Sequence, residues 1–302
     1  MASRPHILVV NGRKVRQPVF VIGAPHSGAD LLARALKRSD GFHVTIGQRS
    51  VVSVVYAFAR SPSIPRGRGE AAATVLRDAF AQAWQVSAPA CLACSPACRD
   101  AGGVNGASTC IEERDIQRYG DGTPDLMYCA EGLVDAFPDT RIVQIIRDGR
   151  DVVAAMLGDP DTLAWFKPGV VNVESEFPNP FFGIETETDL AAWPRLSLAG
   201  KCAMRWRGTV RAMARLRTSM PAERLTTLRY EQVIRQPGAA VKAVSRFIDG
   251  ELAPVNLRDL GRTAVGPQAM QPGAWRGALN AQQLKDIEQV AGADLSRVGY
   301  GS

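Results

Sequence analysis

The chain has 302 residues, of which 46% are hydrophobic and 22% are charged, and its formal net charge is +6 with a pI of about 9.2. This composition is typical of a globular protein, and no apolar run reaches the ~20 residues that a transmembrane helix needs. The N-terminal residues lack the long apolar core of a secretory signal, so we expect a cytoplasmic protein with no membrane partner.

Most of the 36 basic residues are arginines, whose planar guanidinium groups suit oxyanions. The basic residues form no block of about five like charges and are not interleaved with aromatic side chains. We therefore expect a small anionic ligand and no nucleic acid.

The first predicted elements are a small hairpin around Asn11-Gly12, between His6 and Arg16, and a strand that begins at Val19 and stops at Gly23. Small and turn-forming residues follow, and then apolar residues recur at helical spacing over 30–38. Such a junction suits a phosphate, because backbone N–H groups and the positive end of a helix dipole meet there. The ATP-binding form of this loop ends in Gly-Lys-Ser/Thr, which is missing here, so a generic strand-to-helix turn stays an alternative.

The remaining elements predict an α/β fold. Near-continuous apolar strands that lead into helices indicate a parallel sheet covered on both faces. Further elements are predicted in this order: helices over 51–60 and 70–86, a cysteine-containing loop over 87–110, a helix over 126–137, a strand over 141–146, a basic helix over 197–219, a strand over 224–229, and helices over 237–249 and 281–292.

Residues 158–196 form a long segment with several prolines and glycines, and such segments commonly carry function. We predict that it is a substrate lid, because it is rich in aromatic residues: Trp165, Phe166, Phe177, Phe181, Phe182 and Trp193.

A second junction of the same kind begins after Ile146, where the strand ends in Arg147-Asp148-Gly149-Arg150. It places two arginines at a strand end, although Arg150 is equally suited to an ion pair with Asp148 or Asp151. Two such junctions in one parallel sheet favour a ligand with two separated phosphate groups.

Five segments, in the same order, resemble the PAPS-dependent sulfotransferases, in particular the bacterial enzymes that act on small molecules; PAPS is 3′-phosphoadenosine 5′-phosphosulfate. Residues 23–32 are similar to the family's G-x-P-R-S-G-T-T-L-L loop, and residues 137–152 are similar to its 3′-phosphate segment. The other three are residues 120–124, residues 228–231 with Pro237 and Phe247, and residues 273–276 with Gly299-Tyr300.

The resemblance implies a P-loop-like three-layer α/β fold, with a central parallel sheet of about five strands flanked by helices, in a single domain over residues 1–302. It also implies the contacts to PAPS, or to its product PAP. Those to the 5′-phosphosulfate are Pro25, His26, Ser27, Gly28, Ala29, Asp30 and Leu31. Those to the 3′-phosphate and the purine are Arg147, Ala155, Tyr230, Trp275 and Arg276.

The chain departs from the family pattern at several of these positions. His26 stands where the loop has Arg or Lys, Ala155 where a serine is expected, and Gly122 where a lysine is common. A protonated His26 would neutralise the leaving group, because nearby anions raise the pKa of an imidazole.

The catalytic glutamate of many bacterial relatives has no counterpart here, and the nearest residues are Gly47-Gln48-Arg49. We expect His43 to be the base that takes the acceptor's proton, with a surface or capped imidazole as the alternative. Glu112, Glu113 and Asp121 are further candidates.

Cys91, Cys94, Cys98 and Cys110 lie within a loop-rich segment, 87–110, that is too small to bury a core of its own. We predict a structural zinc site for these four thiols, with disulfides, free thiols or an iron–sulfur cluster as alternatives. Cys129 and Cys202 lie on helical patterns and are expected in the core.

The resulting hypothesis is an enzyme that transfers a sulfuryl group from PAPS to a hydroxyl or amine of a small-molecule acceptor, such as a bulky or aromatic natural product. The alternative is a non-catalytic PAP-binding or zinc-stabilised interaction protein of the same fold. A nucleotide kinase is disfavoured by the missing Gly-Lys-Ser/Thr. The acceptor's identity and the oligomeric state stay open.

Overall fold

A computed structural model describes residues 7–67, 69–106, 108–252 and 271–301. Its centre is a five-stranded parallel sheet with the strand order β4-β5-β3-β6-β7, and the hairpin β1-β2 stands beside it. The strands are β1 (Val9–Val10), β2 (Arg13–Lys14), β3 (Val19–Gly23), β4 (Phe42–Thr45), β5 (Arg118–Asp121), β6 (Arg141–Ile146) and β7 (Leu225–Arg229).

Helices connect and cover these strands. In chain order the α-helices are α1 (Ala29–Lys37), α2 (Arg49–Arg60), α3 (Ser63–Gly67), α4 (Gly69–Ala83), α5 (Ala88–Leu92), α6 (Pro96–Ala101), α7 (Ala130–Ala136), α8 (Gly149–Leu157), α9 (Pro160–Ala164), α10 (Glu187–Ala192), α11 (Leu198–Ser219), α12 (Tyr230–Arg235), α13 (Pro237–Ile248), α14 (Trp275–Ala278) and α15 (Ala281–Arg297). Short 3-10 helices lie over residues 113–115, 126–129 and 193–195.

The sheet is covered on both faces, which is why its central strands are apolar without alternation. Phe20 and Ile22 pack into one core cluster, whereas Val19 and Val21, on the opposite face, pack into a second cluster with α1. Successive side chains of a strand point to opposite faces, so both sides of β3 need apolar residues. The predicted three-layer α/β fold is confirmed.

Most predicted elements lie within a few residues of the observed ones, but β4 and β5 were not predicted. Their sequences, Phe-His-Val-Thr and Arg-Tyr-Gly-Asp, contain too few apolar residues to indicate a buried strand. The predicted hairpin is present, with Asn11 and Gly12 both at positive φ, as its tight turn requires. His6 lies outside the described residues.

The segment 158–196 is more ordered than a loop. It contains α9 and α10, and its aromatic residues Phe166, Phe181, Phe182 and Trp193 are buried in a core cluster with α8 and α11. Trp165 and Phe177 are partly buried against that cluster. In the described parts of the chain, no helix has the length and apolar character of a membrane span.

The buried face of α4 offers a direct test of this packing. Leu76 is fully buried, whereas its neighbour Val75 is 46% exposed. We expect Leu76→Ala to lower the free energy of unfolding by about 2–5 kcal/mol, because it leaves a cavity. Val75→Ala is the matched control and should change that free energy by less than about 0.5 kcal/mol. Urea unfolding measures both, and similar losses in the two variants would contradict this packing.

Candidate active site

A cavity of about 640 Å³ opens at the carboxyl ends of β3 and β6. Along the sheet, the chain leaves β3 through α1 toward β4, whereas β6 lies on the opposite side of β3 and leads on to β7. Ligands of open α/β sheets bind in the crevice between neighbouring strands from which the chain leaves in opposite directions along the sheet. The cavity is thus where the sheet order leads us to expect a site.

The loop between β3 and α1 packs so closely against its surroundings that the two glycines at its ends have no room for a side chain. A Cβ on Gly23 would lie 2.3 Å from the hydroxyl of Ser27, and one on Gly28 would lie 2.5 Å from the ring of Tyr230. Gly28 caps α1 with a φ of 95°, and His26 also has a positive φ, of 59°. The first N–H groups of α1 have no partner within the helix, so this corner can bind an anion.

Arg147, at the end of β6, is buried and lies against this loop. Its Nη1 donates a hydrogen bond to the carbonyl of His26 at 3.0 Å, and its guanidinium lies 4.5 Å from the ring centre of Tyr230. Its Nε is 4.0 Å from Asp151. The two predicted anion junctions therefore meet in one cavity.

Most of the predicted PAPS contacts line this cavity. They are Pro25, His26, Gly28, Ala29, Asp30, Leu31, Arg147, Ala155 and Tyr230. Ser27 is buried beneath the loop, against Gly23.

Trp275 and Arg276 are not among the cavity-lining residues, but their segment is attached next to the cavity. Asp151 accepts hydrogen bonds from the backbone N–H groups of Gly273 and Trp275 at 2.8 and 2.9 Å. Arg150 stacks on Trp275 at 4.4 Å, and its Nε and Nη2 donate hydrogen bonds to the two carboxylate oxygens of Asp148. Arg150 is therefore the structural ion-pair residue that its sequence allowed.

His43 is not brought to the cavity. It lies on β4, only 2% exposed, with Nδ1 3.6 Å from the sulfur of Cys110. Burial, and after it the cation of Lys37, lowers the pKa of His43 to about 3. The expectation that His43 faces the cleft is corrected by this position, since β4 directs its ring toward the cysteines.

The expected zinc site is not supported by the structure. No group of three or more His, Cys, Asp or Glu in the described residues is placed to hold a metal ion. Cys91 and Cys110 lie 3.8 Å apart, while Cys94 contacts Gln48 and the carbonyl of Ala90.

A cation already occupies the neighbourhood of these thiols. Burial alone would lower the pKa of Lys37, but the nearby sulfurs of Cys98 and Cys110 raise it above its ordinary value. The buried ammonium of Lys37 would repel a divalent metal at this position. Lys37 also donates to the carbonyl of Val44 at 2.8 Å, so it is fixed there.

Sequence reasoning missed several polar residues of the cavity, among them Tyr56, Asp125, Asp159 and Arg205. Asp125 has a left-handed φ of 64° and pairs with Arg205 at 2.6 Å, and both are buried. Asp125 directly follows the predicted Thr123-Pro124 motif, which was the available signal. No sequence signal singled out Arg205, because it is one of many arginines on α11.

Asp121 is fully buried behind the cavity at the end of β5. Its carboxylate accepts hydrogen bonds from the hydroxyl of Thr45 at 2.5 Å and from the N–H of Thr123 at 2.7 Å. Burial outweighs these bonds and raises the pKa of Asp121 to about 7. A raised folded-state pKa means that the folded state binds the proton more tightly than the unfolded state.

The stability of the protein should therefore fall through Asp121 as the pH rises from about 4 to about 7, because over this range the unfolded state releases the proton of Asp121 whereas the folded state keeps it. We expect Asp121→Asn to remove this part of the pH dependence of unfolding. Asp135→Asn, at an exposed carboxylate, should leave it in place. Thermal or urea unfolding between pH 4.5 and 7.5 measures the slope, and an unchanged slope in Asp121→Asn would contradict the assignment.

Comparison with known proteins gives the following matches. Residues 18–167 match the model described as the sulfotransferase family. No curated protein sequence matches the chain.

Among solved structures, the sulfotransferase domain of the olefin synthase of Synechococcus PCC 7002 is 14% identical and has a TM-score of 0.48, over 93% of this chain and 94% of that one. A sulfotransferase from Alicyclobacillus acidocaldarius is also 14% identical, with a TM-score of 0.47 over 94% of each chain. One from Mycobacterium avium is 13% identical, with a TM-score of 0.47 over 95% of this chain and 79% of that one.

Proposed function

The chain belongs to the sulfotransferase family, and on that premise we propose that it transfers the sulfuryl group of PAPS to a hydroxyl or amine of a small-molecule acceptor. The observation that carries the proposal is the meeting of the β3–α1 loop and Arg147 in one cavity. Two anion-binding groups at adjacent strand ends suit a donor with phosphate groups at both its 3′ and its 5′ position.

The proposed roles are those that the family resemblance implies for these positions. The N-terminus of α1 binds the 5′-phosphosulfate through its N–H groups, and Arg147 binds the 3′-phosphate. Tyr230, which stacks on Arg147, lies beside the purine. His26 faces the bridging oxygen of the leaving group.

In the proposed reaction the acceptor oxygen or nitrogen forms a bond to sulfur, and the bond between sulfur and the bridging oxygen of the 5′-phosphate breaks. The products are the sulfated acceptor and PAP, and the acceptor's proton passes to a base or to water. The protein acts by positioning the two reactants and by placing cations and N–H donors around the transferring oxyanion.

The acceptor is proposed to bind among the remaining residues of the cavity. Trp165 and Tyr56 are in aromatic contact, with ring centres 4.9 Å apart, and offer an apolar surface. The ion pair of Asp125 with Arg205 gives the same cavity a polar part. These groups fit an acceptor with an apolar or aromatic body and at least one polar group.

A second candidate function, PAP binding without catalysis, is favoured by one observation. Ala29 and Asp30 stand at the loop positions where the family has hydroxyl residues, and the carboxylate of Asp30 adds a negative charge to the cavity. PAP titration combined with assays of transfer from PAPS to phenols, alcohols and amines separates the two. PAP binding with no transfer to any of these acceptors would favour the second function.

Arg147→Gln tests the 3′-phosphate site. Because a charged hydrogen bond contributes about 1.5–3 kcal/mol, we expect PAP affinity to fall about 10-fold to 100-fold, while the affinity for AMP, which lacks the 3′-phosphate, falls by less. Isothermal titration measures both ligands. Arg195→Gln, at an exposed arginine, is the control, and equal losses for PAP and AMP would rule out a specific 3′-phosphate contact.

His26→Ala tests the role of the loop histidine. If His26 stabilises the leaving group, turnover should fall by about 10²–10³-fold, whereas the Kd of PAP should change by less than about fivefold. His6→Ala, outside the segments that resemble the family, is the control. Equal losses of turnover and PAP affinity would assign His26 to binding alone.

A further inference from the structure

His26 has a partner that its sequence neighbourhood does not contain. Its Nε2 lies 3.0 Å from Oδ2 of Asp159, a residue 133 positions further along the chain. The two side chains are 28% and 29% exposed, and both residues line the cavity. The pair is thus open to the ligand and created only by the fold.

Further hydrogen bonds hold both partners in place. His26 has a positive φ, and Arg147 binds its carbonyl. Asp159 caps the N-terminus of α9: its Oδ1 accepts from the N–H of Asp161 at 3.0 Å, and its Oδ2 accepts from the hydroxyl of Thr162 at 2.7 Å.

The charge of Asp159 is stabilised in this arrangement. Burial alone would raise its pKa, but the hydrogen bonds from Thr162 and Asp161, together with His26, hold the pKa below its ordinary value. A carboxylate that stays ionised favours a proton on the imidazole next to it. The bond at Nε2 also orients the ring, as a carboxylate does in other His-Asp pairs.

We propose that Asp159 is a positioning residue that holds His26 as an oriented imidazolium ion beside the leaving group. This inference rests on the proposed function. It explains how a histidine can serve at a loop position where a permanently charged Arg or Lys is usual. The other charged groups that line the cavity are Asp30 on α1, Asp125 after β5, Asp161 on α9, Arg147 after β6 and Arg205 on α11.

The first test needs no turnover. NMR titration of the ring protons follows His26, which is assigned with His26→Ala among the three histidines of the chain. In Asp159→Asn, which keeps the capping oxygen but loses the charge, the titration midpoint of His26 should fall by about one pH unit. Asp159→Ser, which also caps a helix, should have the same effect. Glu187→Gln, at an exposed carboxylate in the first turn of α10, is the control.

The second test is the pH profile. An imidazolium is needed, so wild-type turnover should decline as His26 loses its proton. The loss in Asp159→Asn should grow from about twofold at pH 5.5 to about tenfold at pH 8, with the KM for PAPS nearly unchanged. In a His26→Lys background, where the charge no longer depends on a partner, Asp159→Asn should have almost no effect.

Several results would overturn the inference. One is a titration midpoint of His26 that moves by less than about 0.3 pH unit in Asp159→Asn. Another is a turnover loss in Asp159→Asn that is the same at every pH, or that is just as large in the His26→Lys background. A third is a wild-type rate that rises as His26 is deprotonated. The last would make His26 the base. If the midpoint of His26 shifts as expected in Asp159→Asn but the protein neither binds PAP nor transfers sulfuryl groups, the proposed function is overturned and the pairing of His26 with Asp159 stands.

Discussion

The hydrogen bond from Arg147 to the carbonyl of His26 is the contact on which the candidate site depends. It joins the end of β6 to the loop after β3, across 121 positions of sequence. A buried guanidinium needs compensating partners, and Arg147 has Asp151 and the ring of Tyr230 beside it. Asp151 in turn binds the backbone of Gly273 and Trp275. The β3–α1 loop, α8 and the 273–276 segment therefore share one network.

The same network also holds the histidine of the loop. Arg147 donates a hydrogen bond to the carbonyl of His26, and Asp159 contacts its ring. At another part of the lining, Asp125 holds a left-handed backbone conformation and pairs with the buried Arg205. Such strain persists only where the surroundings enforce it, which is consistent with a preformed cavity.

The fold class and the β3–α1 part of the site could be predicted because they depend on local sequence pattern. The β3–α1 junction has a β-branched run, small residues and helical spacing in order, and each of these acts over a few residues. β5 could not be predicted, since Arg118–Asp121 carries a glycine and two charged residues and becomes a strand only by pairing with β3 and β4. Phe181 and Phe182 lie in a core cluster, and apolar composition alone does not distinguish such core residues from residues that bind a substrate.

The sequence by itself determined the layered α/β class, the order of the elements and the chemical groups at the two anion junctions, because hydrophobic periodicity and turn residues encode local conformation. Only the tertiary structure decided which distant groups meet. It buried His43 against Cys110, placed Lys37 beside the thiols of Cys98 and Cys110, and set Asp159 against His26. These contacts follow from sheet order and helix packing, which join residues that no local pattern relates.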